Sequence, residues 1–168
     1  MALVLNTNSY VEIADADDYL ETRIDSATWF DTDDEIKEQA LVTATLLIDD
    51  NSWIGSAVSS SQALAWPRKN AIYNDSRLGM TVTIAENEVP SRVKVAVYEQ
   101  ALHLIDNEDL LMGTTQTFES ISVGSISISD SNNDVTRTPI KSTQATKSIR
   151  PLLVKGSVGQ GAGWWRAN

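Results

Sequence analysis

The chain has 168 residues, 42% of them hydrophobic, which suits one domain with its own core and room for an appendage. It contains no cysteine, which excludes disulfides and thiolate metal sites, and its formal charge is −10. The N-terminus lacks a basic region followed by an apolar run, and no apolar run is long enough to cross a bilayer. The expectation is a soluble protein assembled in a cytoplasm, with no membrane partner.

The charge is unevenly placed. Residues 1–66 hold 13 acidic side chains and 2 basic ones; residues 67–134 hold 10 and 5. Residues 135–168 hold no acid and six cations: Arg137, Lys141, Lys147, Arg150, Lys155 and Arg166. An acidic body thus ends in a cationic arm, which reads either as a solvated tail or as a docking arm for an acidic partner.

In chain order, residues 1–10 are a lead-in of mixed character. Residues 13–23 read as a short amphipathic helix with Ala16, Tyr19 and Leu20 inward and Asp15, Asp17, Asp18 and Glu21 outward. Trp29 and Phe30 are expected to pack in the core. Residues 35–51 form the most regular helix, with Ile36, Ala40, Ala44, Leu47 and Ile48 on one buried face. Thr32-Asp33-Asp34-Glu35 supplies a capping box at its start. Trp53, a serine-rich loop and Gln62-Ala63-Leu64-Ala65-Trp66-Pro67-Arg68 follow. Pro67 holds Trp66 extended, so an aromatic ring is expected to be presented on a rigid turn.

Residues 69–87 read as irregular, with Asn74-Asp75 and Gly79 as turn signals and a brief extended segment at 81–84. Pro90 opens a second long helix to about Asp106, with Val93, Ala96, Val97, Gln100, Ala101, Leu104 and Ile105 buried. Gly113 closes that region. In residues 118–129 the period becomes alternating: Ile121 and Val123 share one parity, Ile126 and Ile128 the other. A hairpin turn or a bulge is expected at Gly124-Ser125. A lone hairpin is marginal, so it should pair with its own bundle or with a neighbouring chain. From Val135 the chain reads as an extended arm. One or two helical turns at 148–154 carry the anchors Ile149, Leu152 and Leu153. Beyond them, a glycine-rich spacer leads to Trp164-Trp165-Arg166.

Signals for chemistry are sparse. The single histidine, His103, sits between leucines on a helix and reads as a structural residue. No nucleophile elbow, Walker loop, zincin or calcium-loop pattern occurs. The glycines at 156, 159, 161 and 163 have no strand before them and no helix after. The clusters Asp15/Asp17/Asp18 and Asp31/Asp33/Asp34 read as helix-start acids before they read as a cation site. No enzyme, cofactor or metal is expected.

The order Ser9-Tyr10-Val11, Ala14-Asp15-Ala16-Asp17-Asp18-Tyr19-Leu20, Ala40-Leu41-Val42-Thr43-Ala44-Thr45, Leu47-Ile48-Asp49, Trp53 and Gln62–Arg68 resembles small head-to-tail adaptors of tailed bacteriophages. Val89-Pro90, Val123-Gly124-Ser125-Ile126 and Leu152-Leu153 suit that pattern too. Some such proteins carry a DnaT-like single-stranded-DNA-binding label. The resemblance implies a structural protein of the virion neck. It would form a homo-oligomeric ring, usually of twelve copies, beneath the portal. Such a ring bridges portal to tail or nozzle protein, and genomic DNA passes through it unbound.

Together these readings predict a mainly α fold: a helical bundle at 1–113, a β-hairpin appendage at 114–134 and an extended arm at 135–168. In the arm, Arg137, Lys141, Lys147, Arg150, Lys155 and Arg166 would steer toward the portal or an adjacent subunit. Ile149, Leu152, Leu153, Trp164 and Trp165 would anchor it. Ile121, Val123, Ile126 and Ile128 would pair between subunits. The alternative is a single-stranded-DNA binder, for which Trp66/Arg68/Lys69 and Trp164/Trp165/Arg166 are the only aromatic–cation clusters.

Overall fold

The computed structural model describes residues 2–107 and 141–154, together with the backbone of the strands Ser120–Val123 and Ile126–Ser129. The organising element is the helix Ser91–Asp106, α4 in chain order, preceded by α1 (Ile13–Leu20), α2 (Ala27–Phe30) and α3 (Asp34–Asp49). All three pack on α4, and so does α5 (Thr143–Ile149) from the C-terminal segment. Val93, Ala96, Val97, Ala101, Leu102 and Leu104 of α4 are buried, but so are Tyr98, Glu99 and Gln100. A helix covered on several sides buries more than one stripe.

Between α3 and α4 the chain forms short ribbons. Strands β1 (Ser56–Ala57) and β2 (Arg68–Lys69) pair antiparallel and close the serine-rich loop. Strands β3 (Ile72–Asp75) and β4 (Met80–Thr83) form a hairpin with Ile72 opposite Thr83 and Asp75 opposite Met80. Gly79 turns its corner at φ +64°. A further pair, β5 (Ser120–Val123) and β6 (Ile126–Ser129), sets Ile121 opposite Ile128 and Val123 opposite Ile126; the turn expected at Gly124-Ser125 lies outside the described residues.

The domain is therefore a small mixed α/β fold, which corrects the expectation of a mainly α bundle with one hairpin appendage. The physical reason lies in residues 68–84. Tyr73 and Val82 share one face of the hairpin, but Ile72 beside Tyr73 breaks the alternation, and such short ribbons do not stand out beside two 16-residue helices.

Residues 141–154 do not leave the body. Ser142 caps α5, accepting bonds from the backbone N–H groups of Gln144 and Ala145. Gln100, buried in α4, accepts the Ser142 N–H at 2.8 Å, and Ser148 donates to the Arg92 carbonyl at 2.9 Å. A 3-10 turn, Arg150–Leu152, then runs into a strand-like bridge between Leu153 and Trp53. Ile54 donates to the Leu152 carbonyl, and Val154 to that of Ser52. Ala145, Ile149 and Leu152 are fully enclosed. Residues 141–154, expected in an extended arm, thus pack on the body through Ala145, Ile149 and Leu152, with Lys147 and Arg150 left on the outside.

Candidate interaction surfaces

The Trp-Pro return, the most distinctive stretch of the sequence, is the best-determined part of the interior. Trp66 is 2% exposed and meets Trp53 edge-to-face with ring centres 5.7 Å apart. The Trp66–Pro67 peptide is cis. Asp49, at the end of α3, accepts from the Ala65 N–H at 2.9 Å and from the Tyr10 hydroxyl, which itself accepts from the Trp66 N–H at 3.0 Å. Burial, reinforced by the Asp49 carboxylate, pushes the Tyr10 hydroxyl far above its usual range. Arg68 donates to the carbonyls of Ile54, Ala65 and Gly55. Gly55 lies so close to the Lys69 carbonyl that a Cβ there would come within 2.6 Å of it. The expectation that Trp66 is presented outward is corrected: the ring is core, and Arg68 staples the loop.

A second polar network joins α1, α2 and α3. Lys37, 6% exposed, lies between Asp17 at 3.6 Å and Asp34 at 3.5 Å, with its ammonium 5.5 Å from the centre of the Trp29 ring and 5.8 Å from that of Phe30. Trp29 donates to Asp17 at 2.6 Å. The expected capping box does not form. Asp33 is the N-cap without a side-chain bond, and Thr32 donates back to the Thr28 carbonyl instead. A third network holds the buried Glu99, which accepts from Tyr19 at 2.6 Å and pairs with Arg23. Tyr98 stacks on Tyr19 at 5.0 Å, and its hydroxyl is pushed up to about 12 by burial and then by Asp15 and Asp18.

Two open surfaces stand out among the described residues. One is a groove of about 580 Å³ that sets the first turns of α3 beside the last turn of α4. Ile36, Ala40, Leu104 and Ile105 line it, and Asp31 and Asp33 stand at its rim. Ile36, expected inward, is 50% exposed here. The other is the tip of the β3–β4 hairpin, where Leu78 is 62% and Met80 59% exposed. Asp75 closes its turn opposite Met80, and the buried Asp75 carboxylate accepts from Arg77 at 3.1 Å and from Arg92 of α4 at 3.0 Å. The Arg77 side chain, then its backbone N–H, and Arg92 hold that carboxyl well below the usual carboxylate range.

A family model described as "Putative DnaT-like ssDNA binding protein" matches residues 2–166. The chain belongs to that DnaT-like family. Neither the curated proteins nor the solved structures contain a match.

Against this background the expected site residues of the DnaT-like chain divide into three groups. Lys147 and Arg150 are exposed on the outer side of the α5 segment, and Lys141 is half-buried, donating to Asn51 at 3.3 Å. Ile149 and Leu152 are sealed inside, and Leu153 is half-buried in its bridge to Trp53. Arg137, Lys155, Trp164, Trp165 and Arg166, along with Gly113, lie outside the described residues. The backbone at Ile121, Val123, Ile126 and Ile128 is paired within one chain. His103 is half-buried in the last turn of α4, beside Asn107. Among the described residues no group of histidine and carboxylate side chains suits a metal ion, and no helix is long and apolar enough to cross a membrane. Sequence reasoning misses the groove and the hairpin tip. The exposed Ile36 and the Arg77-Leu78-Gly79-Met80 run are the signals that could have found them.

Proposed function

We propose that this protein is a structural adaptor of a tailed-phage neck, forming a ring that joins portal to tail and lets DNA pass. The observation that carries this reading is the fate of the aromatic residues. Trp29, Trp53 and Trp66 are all buried, and Arg68 is tied to backbone carbonyls. Among the described residues no tryptophan is left on the surface to stack single-stranded bases, and the aromatic–cation contacts that stay partly open, Phe30 with Lys37 and Tyr73 with Arg92, each use a cation already paired to a carboxylate. Residues 1–134 carry 23 acids against 7 basic residues, a balance that repels a polyanion. Such a surface suits the wall of a channel through which DNA slides. The resemblance of the Ser9–Leu20, Ala40–Trp53 and Gln62–Arg68 stretches to head-to-tail adaptors gives the role its partners.

The second reading is single-stranded-DNA binding, favoured by the description of the matched family. Trp164-Trp165-Arg166 is the cluster that would serve it. A fluorescence-anisotropy titration with a labelled oligodeoxythymidine, run across salt concentrations, separates the two. A binder loses affinity steeply as salt rises. The adaptor reading expects no saturable binding at any salt, and a stable complex when the protein is mixed with purified portal and weighed by native mass spectrometry. Saturable, salt-sensitive binding of DNA with no portal complex overturns it.

A further inference from the structure

We propose that the tip of the β3–β4 hairpin of one copy docks into the α3–α4 groove of the next, so that copies associate head to tail. The proposal rests on the ring reading and supplies its contact. The groove sets Ile36 and Ala40 of α3 beside Leu104 and Ile105 of α4, with Thr32, Gln39 and Thr43 interspersed. Its rim is acidic, at Asp31 and Asp33. The tip has the matching chemistry. Leu78 lies in the turn and Met80 ends it opposite Asp75, while Arg77 stands beside them with its side chain 73% exposed and its guanidinium paired to the buried Asp75 at 3.1 Å. An exposed arginine and two flexible apolar side chains thus match a groove of mixed lining with an apolar strip and carboxylates along it.

Position gives the direction. The hairpin is pinned to Arg92 in the first turn of α4, whereas the groove is built on Leu104 and Ile105 in its last turn. Twelve residues of helix place them about 18 Å apart along the axis. One copy therefore cannot fill its own groove with its own hairpin. Two different patches at opposite ends make a heterologous contact, which generates a ring if the rotation closes and a filament if it does not. The hairpin suits the role of a knob, since Asp75, held by Arg77 and Arg92, closes the turn opposite Met80 and fixes the shape of the tip before docking.

The absence of cysteine makes the contact directly testable. Leu78→Cys and Ile36→Cys both change exposed side chains and leave the core intact. The full chain is prepared with each substitution alone and with both, sized by sedimentation at rising concentration, and treated with a short bismaleimide. Mixing the two single variants should give a covalent dimer at least tenfold above either variant alone. The double variant should give a ladder that ends at a closed species. Asp31→Lys, at an exposed carboxylate of the groove, should lower the yield, most at low salt. A dimer from Leu78→Cys alone, as strong as from the mixture, signals a two-fold contact and overturns the proposal. Multimers in sedimentation without a 36–78 product also overturn it, leaving the ring reading intact with another interface. A monomer at every concentration, with no product, overturns both. A ladder from a chain that ignores purified portal keeps this contact and sinks the adaptor role.

Discussion

Two turn-bearing segments lie between α3 and α4, and they use similar residues to opposite ends. Residues 62–68 hold Leu64, Trp66 and Arg68, all directed into or against the protein, with the backbone at 65 and 66 bonded to Asp49 and Tyr10. Residues 75–80 hold Arg77, Leu78 and Met80, all outward, above a single anchoring carboxylate. The distinctive motif is the one with many internal constraints to satisfy at once: a proline, two indoles and a carboxylate bound to a backbone N–H. The plain segment has few, so its side chains are free to serve as surface. A conspicuous sequence is therefore a guide to packing here and a poor guide to contact with partners.

The contrast breaks or holds first at Trp66. Trp66→Ala removes a fully buried indole and should cost about 3–5 kcal/mol of stability, read from urea unfolding. A loss below about 1 kcal/mol would mean the ring is peripheral after all. Asp49→Ala comes next. It leaves the Ala65 N–H and the Tyr10 hydroxyl without their acceptor in a part-buried site, and should cost about 1–3 kcal/mol. Tyr10→Phe keeps the ring and should lose less than Asp49→Ala in the same assay.

Titration sharpens the comparison further. Tyr10 and Tyr98 have raised folded-state pKa values, Tyr98 at about 12. Above pH 10 the unfolded chain releases those protons and the folded chain keeps them. Stability present below pH 10 is therefore lost as pH rises toward 12, by about 1.4 kcal/mol per pH unit for each tyrosine. The hairpin responds at the other limit. The Asp75 carboxyl is depressed in the fold, so its contribution is present at neutral pH and declines as pH falls below the ordinary carboxylate range toward the depressed value. Amide exchange at residues 72–83 should accelerate under acid before that of α4 does. Simultaneous acceleration in both would show that the hairpin is not separately anchored.

The helices α1, α3 and α4 are legible from period alone, because apolar residues at helical spacing have few other ways to be buried. What period cannot give is the extent of coverage. Ile36 falls on the stripe of α3 but opens into the groove, whereas Tyr98, Glu99 and Leu102 fall off the stripe of α4 yet are buried beneath neighbouring elements. Helix α5 is hidden by its charge. Six cations without an acid suggest a detached arm, although Ser142 as N-cap and Ala145, Ile149 and Leu152 at helical spacing carry the opposite signal. Lys37 and Asp75 are invisible in advance, since a buried charge is stable only with partners that the fold brings from distant positions. The open surfaces are the least legible part: exposure is a property of what fails to cover a residue, and the sequence around Leu78 resembles any polar turn.

The smallest expected effect on folding is at the hairpin tip, where the two segments should differ most. Leu78→Ser and Met80→Ser replace side chains that are already 62% and 59% exposed. Their backbones meet Asp75, with Met80 opposite it in the ladder and the Leu78 N–H on its carbonyl, but their side chains take no part in the Asp75–Arg92 ion pair, and Gly79 at positive φ remains in the turn. Surface changes of this kind fall within about 0.5 kcal/mol of the parent in stability. Losing exposed apolar area could even favour solubility. Urea unfolding of the double variant should therefore overlay the unsubstituted chain, with the same midpoint and slope. A midpoint shift equivalent to more than about 1 kcal/mol would show that Leu78 and Met80 pack on the body. That outcome would place the hairpin tip with the Trp-Pro return as part of the interior and remove the contrast between them. Unchanged unfolding instead leaves two side chains whose burial contributes nothing within one copy, the energetic condition for a surface kept for a neighbour.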